Sequence, residues 1–177
     1  MFWAYLRHAV GLSLESEFML PSDDRNLAHA EKRILTAVNH LLKHDNYLFT
    51  CDLNERSITH KFAEHLQREF PDWNVDCEYN RDHHDPKRLD LPPRHDISSD
   101  DLHAKTVFPD IIIHKRGTDQ NFVVIEVKKS SNPENDDWDL AKLAAFKNQL
   151  RYEIAMFFRF RTGTDDVGFE YTVLREG

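Results

Sequence analysis

Two apolar runs separated by five polar residues constrain the fold of this chain more than any other feature. The first run is VFPDIIIHK at 107–115, the second is NFVVIEVKK at 121–129, and RGTDQ joins them. Glycine and aspartate in such a connector are typical of a turn between paired strands. The sequence therefore predicts a β-hairpin. Its second strand should be central in a sheet, because both of its faces are otherwise apolar.

This predicted central strand also carries charges. Side chains two residues apart share a face of a strand, so Glu126 and Lys128 point to the same side as Val124. Burying a carboxylate and an ammonium costs several kcal/mol unless they are paired or bind something. Such a cost indicates either a functional site or a buried ion pair within the sheet.

The register of the hairpin decides which side chains meet these charges. If the turn centres on Thr118, Asp110 lies directly opposite Glu126. The same register pairs Ile112 with Val124 and His114 with Phe122. Asp110, Glu126 and Lys128 are then expected to converge on one face. Two carboxylates suit Mg²⁺, and an amine beside them can help a bound water attack a phosphodiester.

These residues resemble the motif of the PD-(D/E)XK nuclease superfamily. Pro109-Asp110 is followed by fifteen intervening residues and then Glu126-Val127-Lys128. The resemblance covers about residues 54–175. It implies an α/β (α+β) mixed sheet with a restriction-endonuclease-like αβββαβ core. It also implies Mg²⁺- or Mn²⁺-dependent hydrolysis of DNA that leaves 5′-phosphate ends.

The resemblance also assigns roles to individual residues. Asp110, Glu126 and the main-chain carbonyl of Val127 would hold the metal, and Lys128 would be the catalytic lysine. Glu55 matches a glutamate that the family often adds from its first core helix. The alternative for Glu55 is a helix cap formed with Asp52. Two residues of the second core helix, Lys142 and Gln149, would contact substrate or be ordinary surface residues.

The remaining pattern predicts one domain spanning 1–177. Apolar periodicity predicts helices at 24–44, about 54–69 and 136–160, and alternation predicts strands at 73–80 and 167–174. The domain would comprise an N-terminal helical extension over 1–48, the core over 54–175, and a loop insertion at 81–105. The apolar stretch 1–14 is expected to be a helix that packs on the domain, on a second copy or on a protein partner.

Composition excludes several classes of function. The formal net charge of −8 argues against a basic nucleic-acid coat protein, and any DNA affinity should be weak and salt-dependent. Five glycines leave no room for a glycine-rich phosphate loop. Two cysteines predict a reducing cytoplasmic compartment, and no stretch is long and apolar enough to predict a membrane span.

Two alternatives to a nuclease remain open at this point. The first is a catalytically silent module of the same fold that binds nucleic acid or a protein. The second is a zinc protein built on the loop histidines, which are His83, His84, His95 and His103. Their spacing matches no standard zinc site.

Overall fold

The structure is a computed structural model. It describes the backbone of residues 5–7, 22–79, 81–82, 85–86, 88–91, 105–106 and 108–174, and the side chains of 26–79, 89–91 and 108–174. Its helices are α1 (Ser22–His44), α2 (Asn46–Thr50), α3 (Glu55–Glu69) and α4 (Asp137–Leu150). The longer strands are β2 (Asn74–Cys77), β7 (Ile111–His114), β8 (Asn121–Lys129), β9 (Ile154–Arg161) and β10 (Gly168–Leu174). The shorter strands are β1 (Tyr5–Arg7), β3 (Arg81–Asp82), β4 (Asp85–Pro86), β5 (Arg88–Leu89) and β6 (Lys105–Thr106).

A mixed six-stranded sheet organises the molecule, in the order β1-β10-β9-β8-β7-β2. Strands β8 and β9 run parallel, and the other neighbouring pairs run antiparallel. A parallel pair needs a crossover connection, which α4 supplies between β8 and β9. The predicted α+β mixed sheet is therefore confirmed.

Hydrophobic clusters lie on both faces of the sheet. On one face, α1 and α3 pack against the side chains of Ile111, Ile113, Val123 and Ile125. On the other face, α4 packs against the alternate residues of the same strands, including Ile112 and Val124. Strand β8 is buried on both sides from residue 123 to residue 128, which confirms its predicted central position. Glu126 and Lys128 lie on the α4 side.

The predicted helices at 24–44 and 54–69 are confirmed. The side chains of Ile58, Phe62 and Leu66 form one apolar stripe along α3, and all are fully buried. The helix begins after Asn54, whose side-chain oxygen accepts a hydrogen bond from the Ser57 N–H at 2.8 Å. The alternative cap formed by Asp52 and Glu55 is therefore wrong.

The hairpin and most of its register are confirmed. Ile112 lies opposite Val124, as predicted, and Gly117 takes a φ of +72° in the turn. The predicted pairing of His114 with Phe122 is wrong. A shift between Ile113 and His114 places His114 opposite Asn121 instead.

The predicted helix at 136–160 is wrong in its second half. Helix α4 ends at Leu150, whose carbonyl accepts a hydrogen bond from the Asn121 side chain at 2.9 Å, and Arg151 takes a positive φ of 56°. The sequence IAMFFRFR then forms β9. Aromatic residues favour a strand that is buried on both faces, and here they coincide with helical spacing. The fourth core strand is thus β9, and the predicted strand at 167–174 pairs with it as β10.

The terminal and inserted segments differ from their predictions where they are described. Residues Tyr5–Arg7 form a strand beside β10, so the predicted helix over 1–14 is wrong there. In the insertion at 81–105, β3 pairs with β4 and β5 pairs with β6. The four loop histidines lie outside the described residues, as does the rest of the 1–14 segment. Among the helices described, none is long and apolar enough to cross a membrane.

Replacing Phe158 with alanine should cost about 3–5 kcal/mol in the free energy of unfolding, because a fully buried side chain of β9 is removed. Urea denaturation measures this loss. Tyr47→Ala is the control, since Tyr47 is 71% exposed and its loss should change stability by about 0.5 kcal/mol or less. Equal midpoints for the two variants would contradict the placement of β9 in the core.

Candidate functional site

The turn into β7 brings Asp110 beside the central strand. Its Oδ2 accepts a hydrogen bond from the Val127 N–H at 2.7 Å. This contact fixes the carboxylate one residue from Glu126 along β8. The predicted convergence of Asp110 and Glu126 at the end of the hairpin therefore agrees with the geometry.

Glu126 is the most deeply buried carboxylate of this group, with 2% of its side chain exposed. Its Oε2 lies 2.6 Å from Nζ of Lys142, while its Oε1 has no hydrogen-bond partner among the described residues. Burial and repulsion by Asp110 raise the pKa of Glu126 well above its ordinary value, although Lys142 opposes the shift. A buried oxygen without a partner is uncommon and costly.

Lys142 is the amine that meets these carboxylates. It projects from α4, and its Nζ also lies 3.4 Å from the carbonyl of Phe108. Burial alone would lower the pKa of Lys142, but attraction to Glu126 and Asp110 raises it. The lysine therefore stays charged at neutral pH. The buried ion pair considered above thus involves Glu126 and Lys142.

The Lys128 ammonium is bound by groups around the start of α4. Its Nζ lies 2.7 Å from Oδ2 of Asp139 and 2.9 Å from the carbonyl of Asn135. These contacts join β8 to the first turn of α4. The catalytic role of Lys128 stays a prediction, and in the structure this lysine holds in place the helix that carries Lys142.

A cleft gives solvent access to the site from the side of Asp110. Its volume is about 400 Å³, and it is lined by Glu55, Arg56, Thr59, His60, Cys77, Glu78 and Asp110.

Burial raises the pKa of Asp110 despite the hydrogen bond from Val127, and the nearby Glu55 adds to the increase. Glu55 reaches β8 directly, since its Oε2 accepts a hydrogen bond from the Lys129 N–H at 3.0 Å. Three carboxylates thus lie near one another at the end of the hairpin.

Gln149 lies two helical turns from Lys142 and contacts another part of the chain. Its amide donates to the carbonyl of Asp90 at 3.0 Å and accepts from the Asp90 N–H at 2.9 Å. These two bonds attach the segment after β5 to α4. The substrate contact of Gln149 stays a prediction, and in the structure its side-chain amide is bonded to the backbone of Asp90.

The donor groups present suit a hard divalent cation. Asp110 and Glu126 offer oxygen ligands. The Oε1 of Glu126 is an acceptor without a partner among the described residues, and Asp110 lines the cleft. Burial is the main cause of the raised pKa of each carboxyl, and a cation there would favour the charged forms. In the part of the chain that the structure describes, no group of three or more histidine, cysteine, aspartate or glutamate side chains is placed to hold a metal. The fit therefore depends on the carboxylate pair.

Comparison of the chain with protein-family models, with curated proteins and with solved structures found no match.

Arg56, Cys77 and Glu78 are among the cleft residues that sequence reasoning missed. Partial burial of the thiol and the negative charges of neighbouring carboxylates raise the pKa of Cys77 to about 11, so the thiol stays protonated at neutral pH. For Arg56, the sequence signal of a place in the site was its position directly after Glu55. Cys77 and Glu78 gave none, because their placement depends on how β2 pairs with β7.

Asp110→Asn should stabilise the fold at pH 8 while keeping an acceptor for the Val127 N–H. The substitution removes a charge that repels Glu126 and Glu55. We expect a gain of about 1 kcal/mol, which raises Tm by about 2–4 °C in a chain of this size. The gain should vanish below a pH of about 3.9, where an ordinary aspartate is protonated both folded and unfolded. Thermal melting across pH measures it.

The control for this variant is Asp165→Asn, which removes an exposed charge in the β9–β10 connection. It should leave Tm unchanged. A lower Tm for Asp110→Asn than for the native chain at pH 8 would contradict the electrostatic description of the site.

Proposed function

We propose that the chain is a divalent-metal-dependent nuclease that hydrolyses phosphodiester bonds in DNA. One observation carries this proposal: two carboxylates with raised pKa values meet at the end of the hairpin, and one of their buried oxygens has no partner. Buried carboxylates in this state favour a cation, and one of them opens to a cleft. The element order α3-β2-β7-β8-α4-β9 supports a restriction-endonuclease-like core.

Asp110 and Glu126 would hold Mg²⁺ or Mn²⁺, and the carbonyl of Val127 would assist as in the superfamily. When bound, the cation supplies an activated water and positive charge for the phosphate. The Val127 N–H keeps the Asp110 carboxylate oriented toward the cleft. Glu55 contributes a further carboxylate at the cleft, where a proton acceptor or a water-orienting group is useful.

We assign the catalytic amine of this site to Lys142. Its Nζ is 2.6 Å from Glu126, whereas the Lys128 ammonium is bound to Asp139. From this position the Lys142 ammonium would stabilise negative charge on the attacked phosphate. Lys128 acts as a positioning residue, because it holds the first turn of α4 against β8.

A catalytically silent module is the second candidate. The ion pair of Glu126 with Lys142 favours it, because a charge that is already paired does not require a metal. The silent module would bind nucleic acid or a protein, and for both candidates we propose a reducing cytoplasmic compartment. The free state of Cys51 and Cys77 supports that compartment.

The first experiment compares cleavage of circular double-stranded and linear single-stranded DNA with Mg²⁺, with Mn²⁺ and with EDTA. We expect cleavage only with a divalent cation, and at least about a 100-fold loss of kcat in Asp110→Ala because a ligand is removed. Asp165→Ala, a surface change of the same kind, should cleave normally. Metal-dependent cleavage that persists undiminished in Asp110→Ala would make the assignment wrong.

Calorimetric titration with Mn²⁺ separates the two candidates without relying on activity. The nuclease should bind the ion, and Asp110→Ala should bind it much more weakly. A native chain that takes up no Mn²⁺ would favour the silent module.

A lysine comparison tests the assignment of the amine. Lys142→Met should abolish cleavage because it removes the ammonium beside Glu126. Lys128→Met should mainly lower Tm, because Asp139 loses its buried partner, and folded protein at low temperature should still cleave. The opposite pattern, in which Lys128→Met is folded but inactive and Lys142→Met is active, would return the catalytic role to Lys128.

A further inference from the structure

The cleft above Asp110 contains an ion pair that the proposed reaction does not use. Nε of Arg56 lies 3.0 Å from Oε1 of Glu78, and both residues line the cleft. Their side chains are 87% and 49% exposed, so the pair lies at the surface. It joins the first turn of α3 to the end of β2.

Each member of this pair is attached to the carboxylate site. The Glu78 N–H donates to the carbonyl of Asp110 at 3.2 Å, and Glu78 holds a positive φ of 48°. Arg56 directly follows Glu55, whose carboxylate is bound to the Lys129 N–H. Arg56 and Glu78 therefore share with Glu55 and Asp110 the cleft through which solvent enters.

The charges of the cleft set a problem for an anionic substrate. The carboxylates of Asp110 and Glu55 repel phosphate, and Glu78 adds a third negative charge. Among the described residues that line the cleft, Arg56 alone carries a permanent positive charge. The ion pair of Arg56 with Glu78 is weak, since an exposed ion pair contributes about 0–1 kcal/mol. A guanidinium can bind phosphate through two parallel hydrogen bonds, so a bidentate phosphate would replace the single Nε–Oε1 contact of this exposed pair.

We propose that Arg56 binds a backbone phosphate of the nucleic acid beside the scissile bond, and that Glu78 occupies this guanidinium when no substrate is bound. The proposal rests on the nuclease function above and deepens it by naming a substrate contact. Substrate binding then exchanges a carboxylate for a phosphate on Arg56. Glu78 acts as a competitor for this position and weakens binding of nucleic acid.

Anisotropy of a fluorescein-labelled DNA oligonucleotide in EDTA tests this proposal without cleavage. Arg56→Gln should weaken binding about 10-fold and reduce the slope of log K against log salt by about one. Glu78→Gln should strengthen binding by about three- to tenfold, because Arg56 is released. Asp72→Asn is the matched control, since it removes an equal charge at an exposed position outside the cleft lining.

Three results would overturn the proposal. They are an unchanged salt slope in Arg56→Gln, a gain in Glu78→Gln no larger than that in Asp72→Asn, and no DNA binding by the native chain. Failure of the nuclease function gives a different pattern. In that case the binding changes appear as described, but no divalent cation produces cleavage.

Discussion

The burial of two charges on the α4 face of β8 is the constraint on which the rest of the structure depends. A central strand has no solvent on either side, so Glu126 and Lys128 need partners from the element that covers them. Helix α4 supplies both: Lys142 pairs with Glu126, and Asp139 pairs with Lys128. These two ion pairs fix the position of the helix along the strand. One oxygen of Glu126 is left without a partner among the described residues, near Asp110, which directly precedes β7.

Sequence patterns predict the parts of this arrangement that depend on local periodicity. The apolar stripe of α3, the hairpin and the pairing of Ile112 with Val124 follow from residue spacing. Residue spacing did not predict the strand in the second half of the segment 136–160, because its aromatic run fits a helical and a buried-strand pattern equally well. Only the pairing of β9 between β8 and β10 decides between them.

The carboxylates of the site were predictable for the same reason, and the lysine was not. The meeting of Asp110 and Glu126 could be predicted because the position of the turn fixes which residues of the two hairpin strands lie opposite each other. The direction of a long, flexible lysine depends on partners from other elements. Lys128 is bound to Asp139, eleven residues away on α4. Lys142 was predicted to contact substrate, but its pairing with Glu126 required knowing how α4 crosses the sheet. The partners of Glu78 and Gln149 likewise depend on long-range packing.

The parallel pairing of β8 with β9 has a consequence for how the chain is made. During synthesis the hairpin with its acids emerges before α4, the helix that carries Lys142, and β9 follows that helix. A nascent or truncated chain thus carries the carboxylates without the amine opposite them. Under the function proposed here, a chain that ends before α4 lacks the amine and cannot cleave.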